Sequence, residues 1–378
     1  MKSYSNLIFE VTPRCNAVCY YCPTGRANLF HEPSNQTPLT PEFLHKTLTY
    51  MLNKGIINKD TIVDLFNKGE PFLHPNLSEI FDVMNSLGLH YTLSSNGSVR
   101  ASFNDTTLLK NLDRIIFSMP GFSDECYKAA HGFSFEKTKQ NIVRLLTELR
   151  RCGFVGEALL VFHIYIYNFE QLKEAEAFAN EHGMILHDYL AYIVDYRVFK
   201  DFLSGKLDLN TKKRISKDLF LHDEKQLNKI LKSSPSNYWC EHERVLMLDE
   251  NANVVVCCVV NQFVEHALLG SIFDYSLKDL IELKKKPKAC IECKQYKMDY
   301  FYSVINKYRA SDINRLYGEK ILSYWPYSKS LSRKIERLIV RAYLFAISKW
   351  GYFGYYANNL IDLKRVYRSL VQKKKNRK

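Results

Sequence analysis

Cys15, Cys19 and Cys22 lie in the string C-N-A-V-C-Y-Y-C, directly after a strand-like run. Three thiolates at this C-x3-C-x2-C spacing on one loop can each hold one iron of a [4Fe–4S] cube and leave the fourth iron without a protein ligand. An open iron can bind and activate a small molecule, whereas a cube with four Cys ligands usually only carries electrons. A structural zinc ion needs four ligands, commonly from two C-x2-C-like pairs. The triplet has no local fourth donor, its nearest histidine being His31, so the spacing favours iron over zinc.

A second group consists of Cys240, one of Cys257 and Cys258, and the C-x2-C pair Cys290 and Cys293. Between its first members, Val245–Leu248 and Val254–Val256 flank the polar run Asp249-Glu250-Asn251-Ala252-Asn253, which reads as a β-hairpin. Such a hairpin brings Cys240 and Cys257 together at its open end, and the C-x2-C pair completes four thiolates. Either an iron–sulfur cluster or a structural zinc ion suits that set. Successive strand residues face opposite ways, so only one of the Cys pair can ligate, and Cys257 is favoured.

The elements that must position these groups follow from periodicity and stop signals. Strands are expected at Leu7–Val11, Thr61–Phe66, His90–Ser94 and Glu157–Tyr165, and within Leu112–Ser118 and Met184–Val194. Thr40 as N-cap and Pro41 at N1 start a helix. Others are expected at Asn76–Leu87, Glu136–Cys152 and Glu170–His182, with Gly88, Gly153 and Gly183 just beyond their ends. Strands alternating with helices indicate an α/β fold with a parallel sheet. Six β/α units are fewer than the eight of a complete barrel. Ligands of such folds sit at the carboxyl ends of the strands, where every motif below falls.

The 378 residues suffice for one large α/β domain and a smaller one. Ten Cys, with no secretory signal read at the N-terminus and no long apolar run, lead to the expectation of a cytoplasmic protein that uses thiols for metals rather than disulfides. Residues 329–378 hold fourteen Lys plus Arg against Glu336 and Asp362, so they carry about +12 of the formal +13. The basic charge therefore says nothing about the thiol sites. Within this tail, Leu331, Ile335, Leu338, Ala342, Phe345 and Ala346 form a helical stripe flanked by Arg333, Lys334, Arg337 and Arg341. It can lie in an anionic membrane interface, as a peripheral contact at the inner face, or dock on the barrel. Nucleic-acid binding is not expected, because no recognisable module accompanies the charge.

The triplet, with the aromatic Tyr21 before its third Cys, resembles the signature of the radical S-adenosylmethionine (radical SAM) family. Three further strings agree. Asn67-Lys68-Gly69-Glu70-Pro71 is similar to the family's G-G-E-P motif, with Lys68 in place of the first Gly. Ser94-Ser95-Asn96-Gly97 is similar to a T-N-G turn, and Phe117-Ser118-Met119-Pro120-Gly121 to an S-x-D-G string, with Pro120 in place of Asp. Asn168 matches an Asn often found after the fifth strand, although an N-cap for the helix at Glu170 fits it equally.

The resemblance implies a partial (β/α)6 barrel, open on one side, and a [4Fe–4S] cluster on Cys15, Cys19 and Cys22. Bound S-adenosylmethionine is reductively cleaved to a 5′-deoxyadenosyl radical, which abstracts hydrogen from a substrate. It places Glu70 at the methionine amino group with Gly69 beside it, Tyr21 near the adenine and Ser118 near the ribose. Asn96 and Asn168 complete the cofactor-binding set. The second Cys group resembles the SPASM or "twitch" extension, which implies an auxiliary [4Fe–4S] cluster on Cys240, Cys257, Cys290 and Cys293. The expected organisation is a core at 1–200, a helical linker at 201–236, an auxiliary-cluster segment at 237–300 and a helical basic extension at 301–378. Cys126 and Cys152 read as buried and unliganded, with Cys126 also a candidate hydrogen donor to a substrate radical. The implied activity is an oxidoreductase or maturase served by a reductant such as flavodoxin or ferredoxin. Its substrate, a peptide, sugar or lipid-linked intermediate, is not chosen by the sequence. The alternatives are a non-catalytic iron–sulfur electron carrier and a zinc-stabilised nucleic-acid-binding protein.

Overall fold

The computed structural model describes residues 3–32, 37–222, 224–260, 264–284, 287–305 and 307–317. The chain forms two compact units, Met1–Ala310 and Ser311–Lys378. The expected core, linker and auxiliary segments all fall in the first. The stripe and charge of the basic tail lie outside the described residues.

Strands β1 (Asn6–Phe9), β2 (Ile62–Asp64), β3 (His90–Ser95), β4 (Leu112–Met119), β5 (Glu157–Ile164) and β6 (Ile185–Leu190) are all parallel, and each pairs with its neighbour in sequence. Winding in one direction without a switch point belongs to a barrel arc and not to a doubly wound sheet. Alternation, interrupted where Thr92 and Val161 are buried as well, orients the strands of the arc. Val63, Leu65, Tyr91, Leu93, Phe117, Met119, Leu160 and Phe162 are fully buried on the helix side. Each contributes roughly 1.5–3 kcal/mol by leaving water. Their neighbours Asp64, Ser94, Ile116, Ser118 and His163 line a more accessible inner face.

The helices between the strands begin and stop where the chain signals it. Helix α1 (Pro23–Leu29) follows the Cys triplet at once, a short element that the expected set lacked although Pro23 occupies its first turn. Helix α2 (Pro41–Asn53) starts on the Thr40 hydroxyl, which accepts from the Phe43 N–H at 3.2 Å. Helix α3 (Leu77–Ser86) ends before Gly88. Helix α4 (Asp124–Ala130) precedes α5 (Phe135–Arg151), which buries Ile142, Leu145, Leu146 and Leu149 and stops before Gly153 at φ 92°. The helix expected over Glu170–His182 opens as a 3-10 turn at Phe169–Gln171 and becomes α6 only at Leu172–Glu181. The Asn168 side chain does not cap it, because it is bonded elsewhere.

The free edge of β1 is taken by β7 (Leu246–Leu248), parallel to it, followed by antiparallel β8 (Asn253–Val255) and β9 (Leu268–Ser271). The expected hairpin is present. Its turn is held by the Asp249 carboxylate, which accepts from the N–H groups of Asn251 and Asn253 at 3.0 and 2.8 Å.

Between β6 and the hairpin run α7 (Tyr196–Leu203), α8 (Leu209–Asp218) and α9 (Glu224–Lys232). After β9 come α10 (Leu277–Leu283), α11 (Lys288–Gln295) and α12 (Met298–Ile305). Helices α11 and α12 pack against α7 and the segment after β6. Tyr302 donates to the Ile193 carbonyl at 3.2 Å, Tyr196 to Glu292 at 3.2 Å, and Lys200 pairs with Glu292 at 3.2 Å. No helix among the described residues is long and apolar enough to cross a membrane.

Candidate active site

Helix α1 fixes the Cys loop from behind. The Asn28 side-chain amide donates to the carbonyls of Cys15 and Ala17 at 2.7 and 2.8 Å. Gly25 packs so closely that a Cβ there would lie 2.5 Å from the Cys19 backbone N and O. Cys15, Cys19 and Cys22 are free thiols, and the charges of Cys22 and Cys15 act on Cys19. Burial pushes the Cys15 thiol up to about 12 and Cys19 well above its ordinary value. Metal binding would discharge both protons, because a coordinating thiol is deprotonated. Among the described residues, no three His, Cys, Asp or Glu converge on a single metal ion. The donors of a cube bind different irons and need no common point, so the set fits an iron–sulfur cluster by donor chemistry.

The loops after β2 and β3 are tied to this one by two buried glutamates. Glu10, 1 % exposed at the end of β1, accepts from the N–H groups of Asn67, Lys68 and Gly69 at 3.3, 2.6 and 3.3 Å. Gly69 in turn lies against Thr12, whose carbonyl oxygen would be 1.7 Å from an added Cβ. Glu70, 2 % exposed, accepts from the Asn96 N–H at 2.6 Å and from the Phe72 N–H at 3.3 Å. Asn96 reaches back to the Cys15 sulfur at 3.7 Å and to the Asn16 side chain at 3.0 Å. Gly69, Glu70 and Asn96 are therefore gathered beside the thiols, with Glu70 already clamping two loops. The sequence reading missed Glu10 and Asn28. The signal for Glu10 was a carboxylate ending an otherwise apolar strand, L-I-F-E-V.

Burial raises Glu10 and Glu70 to about 7, against the hydrogen bonds that favour their ionised forms. Glu250 lies close enough to add repulsion to Glu10. Their folded pKa values exceed the unfolded ones, so the folded state holds these protons more tightly. That stability is fully present below about pH 4.5 and is lost as pH rises through about 7. Glu10→Gln is expected to flatten the fall in unfolding free energy of the metal-free protein across this window, measured by urea titration at several pH values. An unchanged slope would remove Glu10 from the account.

Tyr21 is 6 % exposed, donates to Asp218 at 3.0 Å and stacks on Tyr165 at 6.3 Å. Ser118 sits on the inner face at the end of β4. Asn168 is fully buried. Its amide donates to the carbonyls of Pro120 and His163 at 2.6 and 2.9 Å, and its oxygen accepts from the Tyr165 N–H at 2.7 Å. It thus binds the loops after β4 and β5 together, and one oxygen lone pair is left for any ligand. Cys126 and Cys152 are buried; the Cys126 thiol faces the Tyr167 carbonyl at 3.7 Å. Tyr127, His131 Nδ1 and His163 Nδ1 present buried polar atoms with no hydrogen-bond partner among the described residues. Tyr127 feels the charge of Cys19, and His131 that of His163. Burial holds both histidines low, at about 3 and about 4, so the two imidazoles are neutral near pH 7. Unsatisfied groups of this kind suit a ligand that can hydrogen-bond to them.

The second thiol group is also brought together. Cys240, Cys257, Cys290 and Cys293 line one pocket with His242, Lys284 and Tyr302. Cys290 and Cys293 share a face of α11 at i, i+3 spacing. Burial, with repulsion among the thiols, pushes Cys257 up to about 11 and Cys290 up to about 12. Cys258 does not line the pocket; its electrostatic neighbours include Lys68 and Asp64. Tyr192 lies near both Cys258 and Cys22.

Residues 9–181 match the model of the Radical SAM superfamily. The match supports iron–sulfur chemistry and S-adenosylmethionine binding for that part of the chain. A probable GTP 3′,8-cyclase of Methanococcus aeolicus is 28% identical over 145 residues, which cover 37% of this chain and 46% of the cyclase. The chain thus matches less than half the length of that relative. Streptococcus suis SuiB bound to S-adenosylmethionine is a structural neighbour with TM-score 0.50 and 11% identity, over 78% of this chain and 72% of SuiB. At that identity the likeness is one of fold. Native anSMEcpe with bound AdoMet has a TM-score of 0.49 and 15% identity, over 84% of this chain and 98% of that one.

Proposed function

We propose that this protein is a radical SAM enzyme of the oxidoreductase or maturase type. Cys15, Cys19 and Cys22 would hold a [4Fe–4S] cluster, and Cys240, Cys257, Cys290 and Cys293 an auxiliary one. The observation that carries the reading is the joining of three strand-end loops around three thiols, through Glu10, Gly69, Glu70 and Asn96. When bound, the first cluster with S-adenosylmethionine supplies an electron and a carbon radical able to take an unactivated hydrogen. The chain aims and encloses that chemistry. Glu70 offers its remaining lone pairs to the methionine amino group. Tyr21 and Tyr165 offer aromatic faces for the adenine, and the neutral His131 and His163 offer hydrogen bonds without adding charge. The substrate is proposed only as a class, a peptide, sugar or lipid-linked molecule. The GTP of the cyclase's name is not carried over from a match to 46% of it.

Anaerobically reconstituted protein with dithionite and S-adenosylmethionine is expected to release 5′-deoxyadenosine and methionine. Fully loaded protein that forms neither would be an iron–sulfur carrier instead. Two clusters also predict about eight irons per chain, and about four after replacement of Cys15, Cys19 and Cys22 by Ala. A triple variant that takes up zinc and no iron would make the second group a structural metal site.

A further inference from the structure

We propose that Lys284 is the counter-charge of the second thiol group and raises the reduction potential of the cluster held there. This rests on reading Cys240, Cys257, Cys290 and Cys293 as cluster ligands, and it names a residue that controls that cluster. Lys284 caps the C-terminus of α10, is 4 % exposed and lines the same pocket as the four thiols. It donates to the Val245 carbonyl, next to the hairpin that delivers Cys257. Among the described residues no carboxylate pairs with it; burial lowers its pKa, and negative charge on Cys257, Cys258, Cys290 and Cys240 acts in the opposite direction. The other lysine lining the pocket, Lys294, is compensated by Glu243 at 3.2 Å, and its side chain is 44% exposed. Asp299 also lines the pocket, with burial raising its pKa.

A buried ammonium without a carboxylate is costly unless other negative charge faces it. Four thiolates supply that charge. An iron–sulfur core bound by four thiolates is a net anion of about −2 when oxidised and gains another negative charge on reduction. A fixed cation beside it stabilises the reduced state more than the oxidised one, and hydrogen bonding and charge in the outer shell are known levers on such potentials. Lys284 therefore makes the second cluster a better electron acceptor than its ligands alone would.

The test uses full-length protein reconstituted anaerobically, with iron and sulfide counted and both clusters titrated by EPR. Lys284→Gln keeps a donor for Val245 but removes the charge, and Lys284→Arg keeps the charge. Lys284→Gln is expected to lower the midpoint of the second cluster enough to change its reduced-to-oxidised ratio about tenfold at fixed potential, about 59 mV for one electron. Lys284→Arg should hold the wild-type value, and the first cluster should stay put in both. A Gln variant that folds yet loses only the second cluster, with Arg retaining it, also supports the counter-charge. A fully loaded Gln variant with the wild-type midpoint overturns the proposal and leaves Lys284 a donor to Val245. If replacing Cys15, Cys19 and Cys22 together removes all iron, the second site holds no cluster. The reading beneath the proposal then fails, and the proposal with it.

Discussion

Replacing any one of Cys15, Cys19 and Cys22 by Ala is expected to reduce formation of 5′-deoxyadenosine to the level without protein. The three thiols sit on one loop that Asn28 and Gly25 hold from behind, so the loop is not free to move another donor into the place of the lost sulfur. A cube missing one protein ligand has two open irons and is prone to loss or rearrangement. Cys152→Ala is the matched control. That thiol is fully buried at the C-terminal end of α5, with the Glu148 carboxylate 3.9 Å away. It should cost stability by leaving a small cavity and spare the chemistry. The proposed function is wrong if the triple Ala variant still cleaves S-adenosylmethionine under dithionite.

Gly69→Ala should be almost as damaging although it removes no functional group. The new Cβ would lie 1.7 Å from the Thr12 carbonyl oxygen and 2.8 Å from its carbon, both backbone atoms that no rotamer change can move. Either the loop after β2 or the loop after β1 must shift, and both are fixed by Glu10 and Glu70. Overpacking of this kind costs about 1–3 kcal/mol. A displacement of about 1 Å at a reacting centre is enough to lose about 100-fold in rate. Gly55→Ala separates this from the ordinary cost of a glycine at positive φ. Gly55 has φ 64° and nothing within 4 Å of an added Cβ, so that variant should lose a little stability and no activity. Cleavage by Gly69→Ala within twofold of wild type would show that the close approach of the two loops is not needed.

Much of this molecule is written locally. The six parallel strands follow from runs of β-branched and aromatic residues, and the helix starts and stops from Thr40, Pro41, Gly88 and Gly153. The hairpin ahead of Cys257 follows from its polar turn. These are short-range effects, decided by steric limits on φ and by side chains that bond to their own turn. Local pattern failed where a side chain was claimed by a distant partner. Asn168 reads equally as a helix cap or as a residue of the cofactor pocket, and its amide bonds Pro120, 48 residues away, instead of capping the helix. Glu10 reads as an odd charge in a strand, yet it holds the backbone of a loop 58 residues on.

The residue types and spacing of the two thiol groups, and the strand-end positions of the motifs, were determined by the sequence alone. Only the tertiary structure decided which partners these residues meet. It put Cys257 rather than Cys258 at the pocket of the second group, packed α11 and α12 against α7 and the segment after β6, and buried Lys284 at the pocket of the four thiols. The physical reason is that burial and long-range contact set desolvation, and desolvation decides the charge a group can carry and the partner it must have. No window of neighbouring residues contains that information.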